Sequence, residues 1–356
     1  MSASPAASDT LIHVAWITAQ ASLAGTALLL LCVFWMHWRR NANEARRRAF
    51  VARWRPALAA VALDGSGAHF DALPRLDRRD FELFLHEWIA IHEALDRESC
   101  QGLEALSQRL RVGDLAGRML GHTRLESRLL GTIALGHVGD SRQWDALLAE
   151  TDSHNLTLSL AAARALVRLD PERAIVALVP VIERRADWPH TRIWPLLEEA
   201  GPAALTGPLV AAIRGAAPEQ QARLARFLPL ADETAAGELV ADLLGTTTSD
   251  QVVASCLGVV DSPAELATVR GLAAHPRWHI RMLAAKALGR LGERQDEALL
   301  TSMLGDAEWW VRYRAAQALV ALPWMRKDRA GALRDTLTDR FAKDAMEQAL
   351  AERGYR

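Results

Sequence analysis

A repeat of 31 residues constrains this chain more than any other feature. Arg277-Trp-His-Ile-Arg-Met-Leu-Ala-Ala-Lys-Ala-Leu288 aligns with Glu308-Trp-Trp-Val-Arg-Tyr-Arg-Ala-Ala-Gln-Ala-Leu319, which places Trp278 and Trp309, Arg281 and Arg312, Ala285 and Ala316, and Leu288 and Leu319 each 31 residues apart. The same step joins Leu135, Leu166, Leu197 and Leu228, and Leu257 follows after a two-residue deletion, so seven units emerge. A unit this short cannot bury an apolar face by itself; stacked copies supply one another's core.

Each unit reads as a helical hairpin. Runs of small residues, Ala161–Ala163 with Ala165, or Ala284, Ala285 and Ala287, let helices approach closely while Leu and Val fill the seams. Turn signals fall between the helices at Gly136-His-Val-Gly139, at Gly289-Arg-Leu-Gly292 and at Asp170-Pro171, where proline suits a first helical position. The chain is half hydrophobic and only 6% aromatic, rich in Ala and Leu, which favours an all-α protein. We expect helical repeats over 115–325, an N-terminal helical cap over 79–114 around Phe81, Phe84, Trp88 and Ile91, and C-terminal capping helices over 326–356.

The run Trp309-x-Val-Arg-x-x-Ala-Ala-x-Ala-Leu319 resembles the short HEAT-like repeat that also occurs in phycobilin lyases. The likeness covers roughly 115–325, is strongest in the last two units and fades over 201–263; tetratricopeptide and ankyrin signatures are absent. The chain as a whole is similar to bacterial membrane-anchored HEAT-repeat proteins, and the resemblance implies a curved α-solenoid of about seven hairpins that binds other proteins. Many such proteins accompany envelope or exopolysaccharide assembly. The family commonly ties neighbouring repeats through Arg and a preceding acid, which assigns Arg128, Arg281 and Arg312 to an inter-repeat role, with Asp306 as the partner of Arg312.

Ahead of the repeats, no Asp, Glu, Lys or Arg occurs from Leu11 to Trp38. About 20 residues cross a bilayer core, and Trp16 and Trp35 stand about 29 Å apart at helical rise. We therefore expect a short outward N-terminus over 1–10, a transmembrane helix over 11–38 contacting the lipid bilayer, and a basic juxtamembrane segment and linker over 39–78. The arginines follow the apolar run instead of preceding it, which argues against a cleaved signal peptide. Arg39, Arg40, Arg46, Arg47, Arg48, Arg53 and Arg55 stand against Glu44 alone, a cluster suited to setting topology or meeting anionic headgroups. The positive-inside rule then places the solenoid in the cytoplasm of a cell bounded by an inner membrane. Of the polar residues within the run, His13 and His37 sit near the ends and Gln20 lies deeper, where it could bond a second helix.

The net charge of −1 conceals +6 over residues 39–55, which leaves 56–356 at −6 and speaks against nucleic acid as a partner. Cys32, Cys100 and Cys256 form no paired motif, so neither a disulfide framework nor a zinc module is indicated. His86 and His92 are six apart and diverge by about 240° around a helix, and His275 falls outside the helix that carries His279, so no metal is expected. No phosphate loop, dinucleotide fingerprint or nucleophile elbow occurs, and we expect neither catalysis nor a cofactor. A bilin-lyase-like enzyme is the alternative, although only Tyr313 and Tyr355 supply phenols. For partner binding the candidates are Trp278, Trp309, Trp310, Tyr313 and Arg314, since adjacent tryptophans on a helix cannot both enter one seam. The expected partner is a cytoplasmic protein, or the cytoplasmic domain of another membrane protein.

Overall fold

Phe50, Trp54, Leu58 and Val61 recur at intervals of three and four residues, the spacing that gathers side chains on one helix face. In the computed structural model, which describes residues 5–64, 70, 73–95 and 100–354, they form the buried stripe of a helix, α1, that runs unbroken from Pro5 to Asp64. All regular structure among the described residues is helical, and the chain divides into two units between Ala134 and Leu135.

In the first unit α1 packs on α2 (Phe81–Ala94) and α3 (Gln101–Arg109), with α4 (Val112–Leu120) following. Trp54 stacks on Phe50 at 5.6 Å and meets Phe84 edge-on at 5.2 Å. Trp88, fully buried, donates its indole N–H to the Leu103 carbonyl at 3.4 Å. His86 is exposed, whereas His92 is buried with its ring 4.6 Å from that of Trp88; among the described residues no cluster of His, Cys, Asp or Glu is arranged to hold a metal.

Residues 39–64 differ from the expected juxtamembrane linker. They belong to α1, whose buried stripe from Phe50 to Val61 joins the first unit's core, while 39–49 are exposed. Two of the seven arginines also pair within the protein: Arg46 Nε donates to Asp80, just ahead of α2, at 2.9 Å, and Arg55 Nε to the buried carboxylate of Glu87 at 3.1 Å. All seven, Arg39, Arg40, Arg46, Arg47, Arg48, Arg53 and Arg55, are exposed.

Toward its N-terminal end α1 exposes a continuous apolar surface, with Leu28–Leu31, Val33, Phe34, Trp35, Met36 and Trp38 each more than half exposed. Gln20 and His37 are exposed too, and the side chain of His13 lies outside the described residues, as do Gly65 and Gly67 of the expected linker and Tyr355. Among the described residues no helix is long and apolar enough to cross a membrane.

The helix α5 (Leu125–Val138) spans the divide between units. Beyond it the second unit comprises α6 (Trp144–Glu150), α7 (Leu156–Leu169), α8 (Pro171–Arg184), α9 (His190–Ala200), α10 (Pro202–Gly215), α11 (Pro218–Ala225), α12 (Glu233–Thr246), α13 (Asp250–Val259), α14 (Leu266–Leu272), α15 (Trp278–Leu291), α16 (Asp296–Met303), α17 (Trp309–Ala321), α18 (Lys327–Thr336) and α19 (Arg340–Glu352). Helices of the first kind stack on one another, α7 on α9 and α11 through α13, α15 and α17 to α19; helices of the second kind do likewise, α8 on α10 and α10 on α12.

The leucines that mark the repeat are all buried, from Leu135 through Leu166, Leu197, Leu228, Leu257 and Leu288 to Leu319. Leu228 alone sits in a 3-10 turn, Leu228–Leu230, following α11. Hairpins continue through 201–263, where the sequence likeness fades, because stacking requires an apolar residue at the seam and not a particular one. The residue before the marker is Ala134, Ala165, Ala287 or Ala318 in four units and Leu196, Phe227 or Cys256 in the other three; all seven are buried. Polar residues close the hairpins: Asn155, Asp170, Asp232 and Asp339 each accept an amide N–H in the first turn of the following helix.

Candidate functional site

The loop 306–308 and the first turns of α17 are held by two arginines from equivalent repeat positions. Arg312, fourth in α17, folds back so that Nη1 donates to the carbonyls of Asp306 at 2.7 Å and Ala307 at 2.9 Å. Arg281, fourth in α15, does the same with His275 at 2.9 Å and Pro276 at 3.0 Å. Arg281 also places Nε and Nη2 on the Asp306 carboxylate at 2.7 and 2.8 Å, a two-pronged bond between successive repeats. The expected pairing is therefore corrected: Asp306 takes the arginine of the preceding repeat by its side chain and offers Arg312 only its carbonyl. A side chain at the fourth position of a helix reaches the loop just before it, while the loop's carboxylate faces the neighbouring helix.

Burial opposes the charge on Asp306, but the Arg281 guanidinium and the Glu308 amide outweigh it and hold the carboxyl below its ordinary value. Arg281 is correspondingly raised, chiefly by that hydrogen bond. Arg128, the third member of this repeat position, lies on α5 within the first unit.

This clamp presents two aromatic rings. Trp309 and Trp310 open α17 and stay 43% and 48% exposed. Trp309 stacks on Tyr313, one turn on, with ring centres 5.0 Å apart and planes 8° from parallel, and Trp310 meets Trp309 edge-on at 4.7 Å. Tyr313 is fixed in turn by the last helix, its hydroxyl donating to Glu352 Oε1 at 2.8 Å. Gln317 Nε2 donates to the Tyr313 oxygen at 2.7 Å and to Glu352 Oε2 at 2.8 Å, and Arg314 Nη1 donates to Gln317 Oε1 at 2.7 Å. The bond to Glu352 keeps the Tyr313 phenol above its usual value.

Trp278 occupies the equivalent position on α15, 39% exposed and edge-on to His279. The stacking partner of Trp309 is thus Tyr313 of its own helix, not Trp278. Arg314, also a partner-binding candidate, is held by its hydrogen bond to Gln317. Glu352 was not among the sequence candidates; it lies 39 residues from Tyr313, and only the packing of α19 on α17 brings it there. The apolar stripe Ala342, Ala345, Met346 and Ala349 was the available signal that α19 would dock.

Two arginine-linked repeats with aligned aromatic starts carry a recognisable pattern. Residues 250–320 match the family model for HEAT repeats. The HEAT-repeat segment thus includes α13 to α16 and nearly all of α17, and HEAT repeats generally mediate protein binding. No curated protein matches the chain. A crystal structure of an engineered protein is similar at 16% identity over 76% of this chain and 85% of that one, with a TM-score of 0.33, too low to carry argument.

Proposed function

We propose that this chain is a membrane-tethered scaffold or regulator whose HEAT-repeat segment binds a cytoplasmic protein, or the cytoplasmic domain of another membrane protein, through the start of α17. The exposed Trp309 and Trp310 pair carries this reading. Tryptophan is among the residues that dominate binding energy, and stacking on Tyr313 already holds the Trp309 ring, so less freedom is lost on binding. Trp278 extends the same aromatic character to the preceding repeat. The reading assigns binding to this surface and no catalysis, and places the chain at the inner membrane with its repeats inside.

The tether is supported by the exposed apolar stretch Leu28–Trp38 of α1 and by the exposed arginines that follow it. Confinement at a membrane would raise the scaffold's effective concentration for a partner. Resistance of the full chain to carbonate extraction is expected; release into the soluble fraction would remove the tether from the proposal.

Trp310→Ala tests the surface better than a change at Arg314, which would remove a hydrogen bond to Gln317 and so disturb the one that Gln317 gives Tyr313. Affinity isolation from crosslinked membranes should recover a stoichiometric partner with the wild type and lose at least tenfold of it with Trp310→Ala, at unchanged circular dichroism. Equal recovery with both would move the site away from α17. No recovery with either would overturn the scaffold reading.

A further inference from the structure

A cleft of about 410 Å³ opens in the second unit between α12, the turn Leu228–Leu230, the end of α13 and α15. That size falls within the range of small-ligand pockets. Its walls include Leu228, Ala236, Val240 and Val259, and one group among them lacks an explanation within the fold. Glu265 is 3% exposed, and its Oε2 has no hydrogen-bond partner.

Glu265 ends the short turn Pro263–Glu265, and its Oε1 stands beside Gly237 of α12 across the cleft, 3.5 Å from where a Cβ would be. The lining guanidinium does not neutralise it. Arg290 spends Nη2 on the Val260 carbonyl at 2.7 Å, which closes the end of α13. The other titratable groups facing the cleft are Glu233 from α12 and Asp261 from the loop after α13; both are exposed and both are acids. Burial pushes the Glu265 carboxyl above its ordinary value, against the pull of the Ser262 amide and its own. A buried carboxylate with one oxygen unbonded and no counter-charge is costly, and a ligand that brings the missing cation recovers that cost as affinity.

We propose that this cleft binds an organic nitrogen cation, a guanidinium or primary ammonium on a short apolar stem, with Glu265 as its counter-charge. The head meets the Glu265 carboxylate where it lines the cleft, the stem lies along Val240 and Val259, and Glu233 and Asp261 at the exposed rim favour entry of positive charge. Gly237 leaves the wall open opposite the carboxylate. Nothing in this proposal depends on the surface at Trp309 and Trp310 or on the tether, and either reading can fail without the other.

The test is calorimetric titration of the full chain with butylguanidinium, with butylammonium, and with neutral 1-butanol of similar bulk. Both cations are expected to bind with 1:1 stoichiometry, and the alcohol at least tenfold more weakly. Glu265→Gln should lose at least tenfold of the cation affinity while its melting temperature holds or rises, because a buried charge without a counter-charge has been removed. A purely structural glutamate would instead lose stability. Gly237→Leu fills the cleft with a better helix former than glycine and should also abolish binding, which keeps the test informative should Glu265→Gln not fold. A peptide bearing one internal arginine separates the two sources of such a head: binding equal to butylguanidinium indicates a partner's side chain, and binding of the free cation alone indicates a metabolite. Failure of the wild type to bind any of these cations, or equal binding by Glu265→Gln and Gly237→Leu, would overturn the proposal.

Discussion

Arg281 shows how much one side chain can organise between repeats. It joins two carbonyls of the loop before its own helix to the carboxylate of the next loop, with both partners of the ion pair largely buried. Arg281→Lys is not conservative here, since an ammonium cannot reproduce a planar two-pronged bond. We expect Arg281→Ala to cost about 2–3 kcal/mol, the scale of a charge-assisted hydrogen bond lost together with its buried acceptors, and urea unfolding would measure it. Because Asp306 is held below its ordinary carboxylate value, its contribution is complete above the pKa of the unfolded chain and fades as pH falls through the folded one. Acid unfolding followed by circular dichroism should therefore be steeper for the wild type than for Asp306→Asn. A matching slope in the two proteins would mean that the pair contributes no pH dependence. An arginine in this repeat position was legible in the sequence. Its acid was not, because the fourth position of a helix and the loop before it are adjacent in space for any repeat, whereas the choice of carboxylate depends on which helix stands next.

Among the elements, closeness of approach is the controlling quantity. Gly136 and Gly289 follow the marker leucines Leu135 and Leu288, and at each a Cβ would stand within 3 Å of the backbone of the next repeat, at Ala165 and Ala318. Gly289→Ala cannot be absorbed by rotating a flexible side chain; α15 and α17 would have to separate. We expect a loss of about 1–3 kcal/mol, the usual cost of overpacking, despite alanine's better helix propensity. Thermal unfolding would measure it, and a stabilised Gly289→Ala would show that the two helices have slack. The small residues in these seams were visible as a pattern. Whether a given glycine ends a helix or receives a neighbour was not: Gly136 and Gly289 read as turn signals, yet both lie inside helices.

For the whole molecule, the decisive element is α1, which carries an exposed apolar surface and a core stripe on one continuous helix. Removing residues 1–43 leaves Phe50, Trp54, Leu58 and Val61 in place, and the shortened chain should fold with unchanged unfolding cooperativity. Removing 1–64 strips those four side chains from Phe84 and the faces of α2 and α3, a loss of roughly 6–12 kcal/mol at about 1.5–3 kcal/mol each, comparable with the total stability of a domain. Circular dichroism and size-exclusion chromatography of the two truncations would compare them. Equal stability would show that α1 is dispensable to the first unit.

The helical class, the 31-residue step and the residues that mark it were legible in the chain alone, because periodicity is a local property that burial must respect at every repeat. So were the tryptophans that open α15 and α17. Helix packing was needed to place the stripe Phe50–Val61 in a core, to bring Asp306 to Arg281 and Glu352 to Tyr313, and to leave Glu265 beside a cleft without a counter-charge. Each of these is a contact between residues 25 or more positions apart, or a counter-charge that is missing, and the identity of a neighbour across such a distance is set by how helices stack and not by any pattern within one of them.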